Sequence, residues 1–174
     1  MKKLLIVVDF QNDFVDGALG FSGAEQLDDV IYNKIINYKN SGSDVIYTFD
    51  THTDEYMTTH EGKNLPVIHC VKGTSGHELY GKVSTTFNKD TDIFFEKPTF
   101  PSLSLAKYLE EKDYEEVEVC GLVSNICVLS NVVMVKAALP NAKIIVDSKA
   151  TASFDEKLNN ETFDILKGIH VEVR

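Results

Sequence analysis

The chain has 174 residues, 43% apolar and 25% charged, a globular composition long enough to bury a core within one domain covering 1–174. Seventeen Lys and Arg against 27 Asp and Glu leave a net charge of −10, which argues against nucleic acid or an anionic membrane as the main partner. The sequence has no low-complexity tract and no internal repeat, which excludes a disordered chain and a solenoid.

Met1, Lys2 and Lys3 followed by an apolar run imitate a signal peptide, but the run stops after five residues at Asp9. A signal sequence needs about 7–15 apolar residues and a membrane helix about 20, so residues 4–8 are expected to form a strand covered on both faces. Leu27, Ile31 and Ile35 predict an amphipathic helix over 25–38, and 45–49 is a second β-branched run. Residues 50–90 form a long, mostly irregular stretch, of the kind that carries function. A third strand at 93–95, a helix over 102–112, a fourth strand at 117–120 and a helix over 124–139 ended by Pro140 follow. The fifth strand is expected at 143–146. Ser153 and Glu156 match a capping box opening a helix through 167, and 169–173 is the last strand. This alternation predicts an α/β fold: one doubly wound, six-stranded, mostly parallel sheet with helices on both faces.

In such a sheet, ligands bind beyond the carboxyl ends of the strands. Asp9 follows the first strand, Asp50 and His52 the second, Glu96 and Lys97 the third, and Ser124, Asn125 and Cys127 the fourth. Cys127 falls in the first turn of a helix, where unpaired amides and a nearby Lys97 favour a thiolate. Cys120, inside a strand, is expected in the core. Cys70 has no comparable setting. The odd, sparse cysteine set suits a reducing compartment, so a cytoplasmic location is expected. Beside a thiol and a lysine, Asp9 becomes a candidate general base.

Asp50, His52, His60, Glu61 and His69 crowd into one loop, a donor set suited to zinc, iron or manganese. His77 and His170 lack such company and are expected to be structural. GxxxxGK[ST], GxGxxG and GxSxG patterns are absent.

Taken in order, these segments resemble the isochorismatase-like cysteine hydrolases, and within them the nicotinamidases. The resemblance runs through Asp9-Phe10-Gln11-Asn12-Asp13-Phe14, Asp50-Thr51-His52, His69-Cys70, Glu96-Lys97-Pro98 and Gly121-Leu122-Val123-Ser124-Asn125-Ile126-Cys127. It implies a catalytic triad of Asp9, Lys97 and Cys127. It implies an oxyanion hole from the amides of Ser124 and Cys127, beside a cis peptide at Val123–Ser124. It implies metal ligation by Asp50, His52 and His69 with Glu61 as the remaining ligand and His60 as the alternative, zinc being the expected divalent ion. Phe14 and Phe100 fall where the family places aromatics against the substrate ring. The implied activity is cysteine-dependent hydrolysis of a small amide, nicotinamide to nicotinate and ammonia. Members that cleave the isochorismate ether lack the cysteine. Asn125 departs from the commoner Asp, and Pro98-Thr99-Phe100-Pro101 from the commoner Ser-containing stretch. Two alternatives stand beside this reading: a related hydrolase of a carbamoyl or ureido compound, and a non-catalytic ligand- or partner-binding protein. Exposed-looking aromatics leave room for a homo-oligomer.

Overall fold

The computed structural model describes residues 2–174. Six strands form one sheet: β1 (Lys3–Val8), β2 (Asp44–Asp50), β3 (Ile93–Lys97), β4 (Glu116–Leu122), β5 (Lys143–Ala152) and β6 (Glu172–Val173), in the order β3-β2-β1-β4-β5-β6. All five pairings are parallel, where the sequence predicts a mostly parallel sheet. The principal helices are α1 (Asn12–Val15), α2 (Leu27–Asn40), α3 (His60–Asn64), α4 (Gly81–Ser84), α5 (Leu103–Glu110), α6 (Leu129–Ala138) and α7 (Glu156–Gly168).

The period-2 alternation of β1 explains the layering. Leu4, Ile6 and Val8 pack with Leu105 and Leu109 of α5, Val132 and Val135 of α6 and Leu166 of α7. Leu5 and Val7 face the other way, against Ile31 and Ile35 of α2 and Val83 of α4. With both faces covered, an unbroken apolar run is what β1 requires. Among the described residues no helix is long and apolar enough to cross a membrane.

The differences from the sequence reading are local. The 50–90 stretch contains α3, α4 and two 3₁₀ turns, Tyr56–Thr58 and Ser75–His77. None is long enough to show a hydrophobic period. The helix expected from Ser153 begins at Glu156, because the Asp155 carboxylate takes the cap, accepting from the Leu158 amide at 2.9 Å. Ser153 instead accepts from the Asp155 amide. The helix expected over 124–139 opens with a π-helical turn, Ser124–Val128, before α6. β5 runs on to Ala152 through a register shift opposite Val119 and Gly121.

Gly121 sits at φ +113°, where a Cβ would fall 2.0 Å from the Val8 carbonyl oxygen. Only glycine permits that approach of β4 to β1, and it brings the ends of the two strands together. The cis peptide joins Leu122 and Val123, one bond before the position implied by resemblance. Ser124 already belongs to the helical turn, since the Val123 carbonyl accepts from the Ile126 and Val128 amides.

Candidate active site

The strand order reverses direction at β1, between β2 and β4, which is where a doubly wound sheet opens a crevice at its carboxyl edge. Asp9 leaves β1 at φ +46°, a left-handed turn that Asp tolerates better than most residues. In the β2–β3 register Asp50 pairs with Lys97, so both side chains emerge side by side at the sheet's edge. Cys127 lies in the turn after β4.

The Lys97 ammonium, fully buried, lies 2.6 Å from Asp9 Oδ2. It also donates to Asp50 Oδ1 at 3.3 Å, to the Thr99 carbonyl at 3.1 Å and to Cys127 Sγ at 3.6 Å. The structure thus brings Asp9, Lys97 and Cys127 within a few ångströms of one another. Burial works against the lysine's charge, but Asp9, Cys127 and Asp50 outweigh it and hold Lys97 protonated well above its usual range. Burial pushes Asp9 up, and the Lys97 charge offsets only part of that. Burial likewise pushes the Cys127 thiol well up, against the lowering influence of Lys97. The sequence favours a resting thiolate. In the folded site desolvation opposes that tendency and pushes the thiol up.

Asp50 links this group to a second one. Its Oδ2 lies 3.0 Å from His52 Nε2 and 3.2 Å from His69 Nε2. Glu61 Oε1 stands 3.6 Å from His52 Nε2 and 3.9 Å from His69 Nε2. One ligand atom from each of Asp50, His52, Glu61 and His69 lies within 4.8 Å of all the others. His60, the alternative ligand, lies outside this group and lines the neighbouring cleft. Two imidazoles and two carboxylates make a donor set for a zinc-like ion. Two further observations fit such an ion. Glu61 Oε2 is buried without a hydrogen-bond partner, and His69 Nδ1 is engaged 2.7 Å from the Val67 carbonyl, leaving Nε2 directed at the other ligands. Burial raises Asp50, but His52, His69 and Lys97 together hold it below the usual carboxylate range.

Burial lowers His69, yet its contacts with Asp50 and Val67 outweigh this and raise it above 6.5. Metal must displace that proton. Affinity for Zn²⁺ should therefore fall at least about tenfold per pH unit below the raised His69 pKa, and level off above it. Calorimetric zinc titrations between about pH 5.5 and pH 8.5 check this, a flat profile being the contrary result.

The two predicted aromatics have different settings. Phe14 is buried and packs edge-on against His69, with ring centroids 5.6 Å apart. Phe100 is 39% exposed and lines a cleft of about 480 Å³ with Glu61, Leu65, Pro98 and Thr99. His77 is half-buried, its Nε2 2.8 Å from the Thr51 hydroxyl, and stands outside the ligand group. Cys120 and Cys70 are fully buried.

Sequence reasoning missed several supporting residues. Tyr56 packs against both His52 and His69, at 4.6 and 4.9 Å between centroids. Gln11 braces Asp50 by accepting from its amide and donating to its carbonyl, and donates also to the His77 carbonyl. Asn131 of α6 donates to the Cys127 and Phe100 carbonyls and accepts from the Ser102 amide, stapling the loop after β3 to the cysteine turn. An asparagine in the apolar run 128–135 is a signal that could have found it. The Ser124 hydroxyl donates to Asn159 of α7 at 2.5 Å. Asn125 Oδ1 is buried without a partner.

The isochorismatase domain family matches residues 3–173, nearly the whole chain. The chain belongs to the isochorismatase family. Its family relatives include the Bacillus subtilis isochorismatase family protein PncA, 32% identical over 168 residues, with 90% of each chain covered. A nicotinamidase of Acinetobacter baylyi is 28% identical over 174 residues, covering 83% of this chain and 79% of that one. Among solved structures, the nicotinamidase/pyrazinamidase PncA of Bacillus subtilis superposes with a TM-score of 0.88 at 29% identity, covering 99% of both chains.

Proposed function

We infer that the chain is a cysteine-dependent nicotinamidase, converting nicotinamide and water to nicotinate and ammonia. It is a hydrolase acting on an amide C–N bond, a statement supported by the family assignment and by relatives named nicotinamidase. The observation that carries the finer reading is the meeting of sulfur, carboxylate and ammonium at one point. Lys97 Nζ lies 2.6 Å from Asp9 and 3.6 Å from Cys127, next to a two-histidine, two-carboxylate group.

The residues divide the work as follows. Asp9 takes the Cys127 proton as the sulfur attacks the carboxamide carbon and the S–C bond forms. A carboxyl already raised by burial is suited to holding that proton. The backbone amides of Ser124 and Cys127, at the head of the helical turn, stabilise the oxyanion, a contribution typically worth about 2.7–4 kcal/mol per donor. Asp9 then gives its proton to the nitrogen as the C–N bond breaks and ammonia leaves. Water, deprotonated by Asp9, cleaves the thioester, releasing the acid and restoring the thiol. Lys97 keeps its charge throughout and balances the negative charge as it moves between Asp9 and sulfur. Asp50, His52, Glu61 and His69 would hold zinc, which when bound supplies a Lewis-acid anchor for a ring nitrogen. Phe14 and Phe100 border the ring's place.

The test is ammonia release from a panel containing nicotinamide, pyrazinamide, benzamide and ureido and carbamoyl compounds, with and without chelator. Nicotinamide should be preferred over benzamide, which lacks the ring nitrogen, and chelation should weaken its binding. Preference for a ureido or carbamoyl compound, or unchanged nicotinamide affinity in the metal-free protein, would contradict this assignment.

A further inference from the structure

We propose that Thr48 is a positioning residue for the reaction, fixing which oxygen of the Asp9 carboxylate faces the sulfur. The proposal rests on the reading of Asp9 as the proton carrier. Thr48 lies in β2, 0% exposed, two residues before Asp50 and on the same face of the strand. Its hydroxyl donates to Asp9 Oδ1 at 2.7 Å, and its carbonyl accepts from the Asp9 amide at 3.2 Å. The two residues are 39 positions apart in sequence, yet Thr48 holds Asp9 by both backbone and side chain.

The consequence lies in the other oxygen. Oδ2 has no hydrogen-bond partner beyond its ion pair with Lys97, and Lys97 in turn reaches Cys127. A carboxylate held at one oxygen only, by the end of a flexible lysine stem, can still turn about its terminal torsion, which is broad and roughly two-fold. Engaging Oδ1 from the sheet side stops that rotation and keeps Oδ2 on the lysine that reaches the thiol. A threonine suits the task because its β-branched side chain is stiff at χ1, so the hydroxyl itself is fixed. Valine at this position would have nearly the same shape and no proton to donate. Serine would keep the donor and lose the stiffening methyl.

These two substitutions separate positioning from packing. Thr48→Val should lower kcat for nicotinamide by about 10- to 100-fold with KM within about twofold, the pattern of a misplaced proton carrier. Thr48→Ser should stay within about threefold of the wild type in kcat. A second measurement needs no substrate: the rate at which iodoacetamide alkylates Cys127, read by peptide mass spectrometry. Cys127 is the least buried of the three cysteines, and Asp9 is the base that takes its proton as the sulfur attacks a carbon centre. That rate should fall about tenfold in Thr48→Val and recover in Thr48→Ser. If Thr48→Val yields no folded protein, Thr48→Ala makes the same comparison. If the wild type releases no ammonia from nicotinamide, the substrate assignment is lost, and the alkylation series still decides the role of Thr48. Unchanged alkylation in the valine variant, or a serine variant as slow as the valine one, would overturn the proposal.

Discussion

Cys127→Ala should abolish ammonia release, with a fall of at least about 10⁴-fold, while the protein stays folded and still binds nicotinamide. The size of the loss follows from the scheme: without sulfur there is no thioester, and nothing else in the site is placed to form one. Cys70 and Cys120 are fully buried and cannot substitute. The fold should survive because the change removes one atom from a well-packed position beside Val128 and Val132, at a cost of about 1 kcal/mol. The Asp9–Lys97 pair and the cluster of Asp50, His52, Glu61 and His69 do not depend on the sulfur for their contacts. Binding measured by calorimetry should therefore remain within a few-fold of the wild type while turnover disappears. Acid-quenched wild type should carry the substrate's acyl group on the Cys127 peptide, and the variant should carry none. Turnover in the variant above about one hundredth of the wild-type rate would remove the covalent scheme.

The parts of this site legible in the sequence are those that occur at strand ends. β1, β2, β3 and β4 are short apolar runs, and Asp9, Asp50, Lys97 and Cys127 lie at their ends or in the turn that follows, so one topological rule gathers them. The four-donor cluster was legible for a similar reason, since Asp50, His52, Glu61 and His69 stand close together along the chain. Thr48 was not legible. A threonine in a β-branched run satisfies strand propensity and carries no further signal until the parallel pairing of β1 with β2 sets it beside the end of β1. Asn159 belongs to the same class, its partner Ser124 lying 35 positions away along the chain. The burial that opposes a Cys127 thiolate was also hidden. The helix turn and Lys97 can be read from residue order, and both favour a thiolate. The opposing influence is desolvation, which depends on how much protein closes over the sulfur.

Lys97→Met should destabilise the protein by about 3–5 kcal/mol at neutral pH and lower turnover by about 10³-fold or more. Lys97 is the ammonium that meets both buried carboxylates, Asp9 and Asp50, and methionine fills similar space without the charge. Removing one member of a buried ion pair leaves the other desolvated and uncompensated, so two carboxylates would be stranded together. The pH dependence carries the diagnostic sign. In the wild type, Asp50 is held below the ordinary carboxylate range, so its contribution is present above about pH 3.9 and is lost as pH falls through the lower folded value. Asp9 behaves oppositely, because burial already raises it. Without Lys97 it rises further, and the variant recovers stability as acid protonates it. The stability deficit should therefore be widest near neutral pH and narrow on acidification. Urea unfolding of both proteins at about pH 7.5 and pH 5 measures this difference, and the histidines common to both largely cancel in the comparison. A deficit under about 1 kcal/mol, or one that does not change with pH, would mean that the ammonium is not balancing these carboxylates. Its assignment as the charge that accompanies the proton between Asp9 and Cys127 would then fall with it.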